Sequence, residues 1–529
     1  MYPGTHVSTH PDKLAVVMAD TGQGVTYRQL EDRSVRLDHV LFDHGLRVGD
    51  SFALLSENSP VYYDCYWAAL RSGRYITAIN YHLSVDEMVY IMQDCGATVF
   101  VASATLADKA AEIVARVPGI TLRLAVGGAI TGFADYEAAL AAASDVPFET
   151  QPAGLDMQYS SGTTGVPKGV RGALPARQVT EPGDLMIAVF APMYGFDEDT
   201  VYLSPAPLYH AAPLRFGGLI HAMGGTDVVM SRFDPVAALG YIEQYRATHS
   251  QWVPTMFVRM LKLTEEERST HDLSSLKVAV HAAAPCPVDV KQQMIDWWGP
   301  ILHEYYAATE AAGITLIRPE DWLTHQGSVG RAGLGILHVC DEGDPDQGEL
   351  PVCETGLVYF ERDAMPFSYH NDPEKTRNAQ HPLHDTWATT GDIGRVDEDG
   401  FLYLTDRRAF MIISGGVNIY PQEVENALTM HPAVYDVAVI GIPDPEMGEQ
   451  VKAVVQVADG VVADDALAAQ LIAHVKEKIA HYKAPRSVDF VDSLPRSANG
   501  KMVKGKLREH YAHAAAVASA GTASAGTAS

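Results

Sequence analysis

Tyr159-Ser160-Ser161-Gly162-Thr163-Thr164-Gly165-Val166-Pro167-Lys168-Gly169-Val170 is the stretch on which the reading of this chain turns. Leu155, Met157 and Tyr159 lead into it with the two-residue period of a strand, which puts the turn at a strand end. The glycines let successive backbone N–H groups converge on one point, the hydroxyls add donors, and Lys168 supplies a cation. Such a loop can wrap the terminal phosphates of a nucleotide. Its spacing is not that of the Walker loop, in which Gly-Lys-Ser/Thr follows four free positions.

Upstream, Thr26-Tyr27-Arg28-Gln29 reads as a capping box opening a helix. Leu30, Leu37 and Leu41 share one face of it, and Gly45 is placed to end it. Strand-like Phe52–Leu55, helix-like Val61–Ser72 and strand-like Val99–Ala102 follow. This alternation predicts an α/β domain with parallel sheet. Downstream, residues 333–405 are rich in Gly, Asp and short β-like runs such as Gly356–Phe360 and Gly400–Leu404. Past Asp406 the texture changes. Pro421 can start a helix with Val424, Ala427 and Leu428 on one face. Strands are predicted at Val437–Ile442 and Val451–Val457, and Leu467, Leu471, Ile472, Val475 and Ile479 mark an amphipathic helix.

The expected fold class is therefore α/β. A large N-terminal domain of several subdomains with parallel-rich sheets spans 1–405, and a small α+β C-terminal domain spans 406–511. The Ser-Ala-Gly-Thr-Ala repeats of 512–529 read as a disordered tail. The length agrees: 529 residues exceed the roughly 250–300 at which a single core stops growing.

A formal charge of −27 repels nucleic acid and anionic membranes, so neither is an expected partner. It repels nucleotides too, so a nucleotide site must rely on backbone N–H groups, a few placed cations and a divalent metal. No apolar run approaches the roughly 18–20 residues needed to span a bilayer. Met1–Lys13 has no apolar h-region, so no secretory signal is expected. Cys65, Cys95, Cys286, Cys340 and Cys353 are scattered and odd in number, which reads as reduced thiols in a cytoplasmic protein.

The glycine-rich loop resembles the signature of the adenylate-forming superfamily, which holds acyl-CoA synthetases, luciferases and peptide-synthetase adenylation domains. Further motifs occur in the family's order, from about Gly24 to Arg508. The resemblance implies that Ser160, Ser161, Gly162, Thr163, Thr164, Gly165 and Lys168 bind ATP. Pro207-Leu208-Tyr209-His210 is similar to the motif whose histidine borders the acyl and phosphate site. His281-Ala282-Ala283-Ala284-Pro285 resembles the small-residue turn beside the adenine, with alanines replacing the usual glycines. That likeness implies Ala282 and Ala283 at the nucleotide and Ala284 at the acyl substrate. Tyr305-Tyr306-Ala307-Ala308-Thr309-Glu310 is similar to the family's Tyr-Gly-x-Thr-Glu. By that match Tyr306 stacks on adenine beside Tyr305 and Ala307, Thr309 contacts phosphate, and Glu310 holds Mg²⁺.

Asp392, in Thr390-Gly391-Asp392, matches the aspartate that accepts the ribose hydroxyls, and Arg407 matches an arginine that also meets the ribose. Ile412–Pro421 resembles the glycine-rich strand end that lines the pantetheine tunnel, which implies coenzyme A contacts at Ser414, Gly415 and Gly416. Pro495–Lys501 resembles the C-terminal motif of the catalytic lysine, implying Lys501 for that role, with Lys168, His210, Thr309 and Glu310 completing the catalytic set. The resemblance also makes the C-terminal domain mobile, rotating about a hinge at Ala409, where the family commonly has Asp or Lys.

The implied activity is that of an ATP-dependent acyl-CoA ligase, with Mg²⁺ as cofactor and ATP and coenzyme A as co-substrates. Acyl-AMP and pyrophosphate form first, then acyl-CoA and AMP. Three alternatives stand beside it: another acyl acceptor such as a carrier protein, a luciferase-like activity, and a non-catalytic nucleotide sensor. Against the sensor, both Glu310 and Lys501 are retained. Against amino-acid substrates, Leu208-Tyr209-His210-Ala211 offers no acid to hold an α-ammonium. Trp252, with Met256, Phe257, Leu214 and Phe216, suggests an apolar acyl body. The texture of Thr405–Glu425 is closest to bacterial fatty-acyl and steroid-side-chain ligases, and an aryl acid also fits. A homodimer is compatible with this reading.

Overall fold

The computed structural model describes residues 1–160, 167–341, 348–407, 410–415, 417–444, 446–496, 502–505 and 507–511, with the side chain of Arg407 left out. Ser161–Gly165, Ala409, Gly416, Lys501 and the tail 512–529 lie outside the described residues.

Two large sheets form the body of the N-terminal part. One has six strands in the order Ala134–Asp135, Leu122–Val126, Val99–Ser103, Ser51–Leu55, Tyr75–Ile79 and Leu155–Asp156. All its pairings are parallel. Its middle strands are apolar runs buried along their whole length, as parallel strands covered on both faces must be. The other sheet has nine strands. Its parallel centre is Leu302–Ala307, Val278–His281, His249–Trp252, Val201–Ser204, Thr226–Val229 and Leu14–Met18, and antiparallel strands close both ends.

Local signals match their elements here. Thr26 and Gln29 form the reciprocal capping box of helix Tyr27–Asp43, and Leu30, Leu37 and Leu41 are fully buried. Gly45 follows the helix with φ +93°, a conformation that favours glycine.

A third, antiparallel sheet joins Ile336–Cys340, Gly356–Glu361, Asp392–Val396 and Leu402–Arg407, with Trp387–Ala388 at its side. The boundary expected after Thr405 cuts the last of these strands. Asp406 and Arg407 pair with Ile393 and Asp392, and the next sheet starts at Ile412. That C-terminal sheet is built on the long pair Val434–Asp444 and Gly448–Val457, flanked by Ile412–Ser414, Val417–Ile419 and Ser487–Phe490. Helices Pro421–Thr429 and Asp465–Lys478 cover it. Val424, Leu428, Leu471 and Val475 fill a core separate from those of the N-terminal part. Pro421 occupies the first helical position, where its missing N–H costs nothing.

Among the described residues no helix is long and apolar enough to cross a membrane. All five cysteines are free thiols.

Candidate functional site

Past Leu155–Asp156 the chain leaves the parallel sheet and forms a hairpin. Gln158–Ser160 pairs antiparallel with Lys168–Arg171, and the register sets Ser160 opposite Lys168. The glycine-rich loop is thereby pinched at its base between a serine and a lysine. Strand Ser368–Tyr369 adds to the outer edge of this hairpin, with Val170 opposite Tyr369. The Lys168 ammonium lies 5.4 Å from the centre of the Tyr369 ring. On its other side the Tyr369 hydroxyl donates to Glu310 Oε1 at 2.8 Å. Lys168, Tyr369 and Glu310, far apart in sequence, so form one contiguous group. Tyr369 carries no local motif, and sequence reading missed it.

Glu310 and Thr309 sit half-buried in the turn after strand Leu302–Ala307, whose last residue, Ala307, is partly buried as well. On that strand Tyr306 donates its hydroxyl to Asp392 Oδ2 at 2.7 Å, and Thr390 Oγ1 donates to the same oxygen at 2.6 Å. Asp392 opens the strand that pairs with Leu402–Arg407, and the register puts Arg407 directly across from it. Three residues expected around one nucleoside thus converge from separate segments.

Tyr305 faces elsewhere: successive strand residues point to opposite faces, so its side chain is directed away from that of Tyr306. It lies in an aromatic cluster, 5.2 Å from Phe190 and 5.7 Å from Phe216, where its hydroxyl accepts from Gln251 Nε2 at 3.1 Å. Gln251 in turn accepts from the Tyr202 hydroxyl at 3.2 Å. Burial pushes the Tyr305 phenol well above its ordinary pKa, so it stays neutral.

Trp252 also faces elsewhere. It is 1 % exposed and packs among Phe233, Phe257 and Trp298, with Nε1 donating to Ser250 Oγ at 2.7 Å. Strand parity turns it to the face opposite Gln251, into the core that also takes Met256 and Phe257. Leu214 is sealed in another core, and of the apolar residues expected at the acyl group only Phe216 shares the cluster of Tyr305.

Ala282 is buried in that same cluster, with its N–H bonded to the Trp252 carbonyl at 3.2 Å. Ala283 is exposed and holds φ at +75°. It is an alanine in a glycine's conformation, at the turn where the resemblance expects glycine. Ala284 next to it is half-buried.

His210 caps helix Ala211–Met223, half-buried with its ring edge-on to Tyr209 at 4.5 Å. One turn into this helix Arg215 meets Asp156, its Nε 2.9 and 3.1 Å from the two carboxylate oxygens. The partners lie 59 residues apart, and no spacing rule joins them. A polar residue ending a strand that otherwise reads as buried was the one available signal.

In the C-terminal domain Ser414 is buried at the end of its strand. Gly415 has φ +59° and donates its N–H to the Met447 carbonyl at 2.8 Å. The positive φ favours glycine there, and an added Cβ would also push aside the end of the Met447 side chain. Gly416 and Lys501 fall outside the described residues.

Among the described residues no three His, Cys, Asp or Glu side chains come together as a metal cage. A single carboxylate such as Glu310 still fits a magnesium ion whose other ligands are phosphate oxygens and waters.

Residues 5–369 match the family model described as AMP-binding enzyme, and residues 423–501 match the AMP-binding enzyme C-terminal domain. Over 506 residues the chain is 35 % identical to a feruloyl-CoA synthase from Amycolatopsis, covering 94 % of this chain and 96 % of the relative. A long-chain-fatty-acid–CoA ligase, FadD13 of Mycobacterium tuberculosis, is 31 % identical over 508 residues, covering 95 % and 96 %. The crystal structure of the anthranilate CoA ligase AuaEII in complex with anthranoyl-AMP superposes with a TM-score of 0.82, at 26 % identity and 97 % coverage of both chains.

Proposed function

We propose that this chain, which belongs to the AMP-binding enzyme family, is an ATP-dependent acyl-CoA ligase acting on an apolar carboxylic acid. The observation that carries the proposal is the convergence of Ser160, Lys168, Tyr369 and Glu310 beside the Tyr306–Asp392–Thr390 group. Lys168 and Glu310 are the cation and carboxylate this reading assigns to the triphosphate, and Asp392 the carboxylate it assigns to the ribose hydroxyls.

In the first half reaction a substrate carboxylate oxygen attacks the α-phosphorus of ATP. The new O–P bond gives acyl-AMP, and pyrophosphate leaves. Lys168 and the backbone N–H groups of the 160–168 loop stabilise the charge that builds on the leaving group. Tyr306 and Asp392 hold the nucleoside, and His210 borders the carboxylate. The resemblance gives Lys501 the role of bridging the carboxylate and the α-phosphate, two anions that otherwise repel. Glu310 would hold Mg²⁺, which would supply neutralisation of phosphate charge. In the second half reaction the coenzyme A thiolate attacks the acyl carbon; the C–S bond forms, the C–O bond to AMP breaks, and AMP leaves. By the resemblance, the Ser414–Gly415–Gly416 segment is the one expected to meet the pantetheine once the small domain turns.

The similar proteins include a feruloyl-CoA synthase and a long-chain-fatty-acid–CoA ligase. Both fit an apolar acyl body, and no ammonium-binding acid follows His210. Pyrophosphate release across aryl, alkyl and steroid acids, with and without coenzyme A, tests the reading. A standard amino acid ranking first would sink it. Lys501→Ala is expected to cut adenylation by at least ~10²-fold, about 2.7 kcal/mol of transition-state stabilisation, while thioester formation from supplied acyl-AMP survives. Equal losses in both halves would remove Lys501 from its role.

A further inference from the structure

Tyr369 ends the edge strand of the three-stranded sheet, and the register explains its neighbours. On strand Lys168–Arg171, Lys168 and Val170 are two residues apart and so point to one face. Tyr369 pairs directly with Val170, and directly paired residues share a face. Its ring therefore lies diagonally beside Lys168, whose ammonium stands 5.4 Å from the ring centre. The side chain is buried and packs with Val170, Ala312, Phe367, Ala379 and Ala388. The backbone is fixed as well. The Tyr369 N–H donates to Thr376 Oγ1 at 2.9 Å, and the N–H of His370 to the Gly169 carbonyl at 2.8 Å.

Glu310 comes from the turn after strand Leu302–Ala307. The Ala311 N–H closes that turn on the Ala308 carbonyl at 3.0 Å, and Ala312, two residues past Glu310, is buried in the Tyr369 cluster. One small apolar cluster thus sets the phenol against the carboxylate, with its hydroxyl donating to Oε1 at 2.8 Å. A phenol that touches an ammonium and a carboxylate does two things that a direct ion pair cannot. Its face attracts a cation yet carries no net charge, so it steadies the Lys168 ammonium without cancelling it. Its hydroxyl occupies one carboxylate oxygen, fixes the orientation of the group and directs further ligands to the remaining lone pairs. In the ligase reading both charges must stay available, Lys168 to phosphate oxygens and Glu310 to Mg²⁺.

We propose that Tyr369 is a positioning residue for the adenylation step: its hydroxyl orients Glu310 towards the metal, and its ring orients Lys168 towards the phosphates. This deepens the acyl-CoA ligase reading and rests on its assignment of those two residues. The two contacts use different parts of one side chain, so they can be removed separately. Tyr369→Phe deletes the hydroxyl and keeps the ring, whereas Tyr369→Leu deletes both.

The test uses the full chain. Mn²⁺ is bound together with α,β-methylene-ATP and read by paramagnetic resonance, with neither acid nor coenzyme A present. Tyr369→Phe is expected to weaken Mn²⁺ binding by ~10-fold or more, and to leave the affinity of the analogue at saturating metal unchanged. Tyr369→Leu weakens the analogue too, by roughly 3- to 10-fold. Glu310→Gln weakens Mn²⁺ binding by itself. Tyr369→Phe added to it brings no further loss, because the hydroxyl acts through the carboxylate. In turnover, Tyr369→Phe raises the Mg²⁺ needed for half-maximal pyrophosphate release by the same ~10-fold. The KM of the acid and thioester formation from supplied acyl-AMP do not change. A thermal melt is recorded for each variant.

Unchanged Mn²⁺ binding in folded Tyr369→Phe overturns the assignment. So do losses that add in the double variant, or equal losses in both half reactions, which are what a purely structural tyrosine gives. If the metal results hold while no thioester forms with any acid, Tyr369 keeps its role and the ligase reading falls. If thioester forms while the metal results fail, the ligase reading stands and Tyr369 loses its role. A chain that binds neither Mn²⁺ nor the analogue overturns both.

Discussion

Ala283 illustrates how one residue can carry backbone strain at a site. Its φ of +75° lies in the left-handed region, where an L-residue with a Cβ costs roughly 1–2 kcal/mol. Glycine would relieve that strain but surrender some stability through a freer unfolded chain. The net gain expected for Ala283→Gly is about 0.5–1 kcal/mol. Val, β-branched, fits this conformation worst. Urea unfolding of the series should therefore rank Gly above Ala and Ala above Val at position 283. Equal stability of the alanine and valine forms would mean that the turn is not left-handed in solution.

Among the elements, strand Thr226–Val229 lies inside the nine-stranded sheet, third from one edge, and carries a buried carboxylic acid. Asp227 is fully buried, with the Tyr63 hydroxyl of helix Val61–Leu70 donating to its Oδ2. Burial pushes its pKa up to about 7, against about 3.9 for an exposed aspartate. The folded protein thus keeps a proton that the unfolded chain has released. Stability falls as pH rises from about 4 through 7 and levels off above that. Between pH 5 and pH 8 this group removes about 2–3 kcal/mol. Asp227→Asn cannot ionise and escapes the loss. Denaturant midpoints of both proteins at the two pH values should converge or cross in the variant's favour towards pH 8. Parallel pH profiles would show that Asp227 ionises freely in the folded state.

At the scale of the whole molecule, two parts with separate cores are joined by a short link. The N-terminal part ends its last strand at Arg407, and the C-terminal sheet opens at Ile412, so the link is residues 408–411. Across the interface Lys262 donates to the carbonyls of Val434 and Tyr435 at 2.8 and 3.3 Å. The Gln422 N–H reaches Asp406 Oδ2 at 3.2 Å. Polar contacts of this kind leave relative domain motion as the default. Proline fixes φ near −65°, so Ala409→Pro is expected to hold one arrangement of the domains. Adenylation should persist and thioester formation should drop by ~10²-fold or more, about 3 kcal/mol. The reverse pattern would mean that proline had locked the other arrangement, and the hinge would stand. Both half reactions unchanged in a folded variant would put the hinge elsewhere.

The sequence by itself determined what depends on neighbours along the chain. The capping box at Thr26, the proline start at Pro421, the buried parallel strands and the glycine-rich turn were legible because their causes are local and periodic. Motif order along the chain likewise pointed to the family. Tertiary structure alone decided which face of a strand meets which partner. Period two says that Tyr305 and Tyr306 diverge, but not which of them meets Asp392; the third sheet, packed against that strand, settles it. Trp252 has the composition of a pocket wall, yet the helices covering its side of the sheet make it core. Arg215 and Asp156, or Lys168, Tyr369 and Glu310, are joined by no periodicity at all. Pairs such as these come together only when separate sheets dock, because side-chain contact depends on distance in space, which sequence separation does not encode.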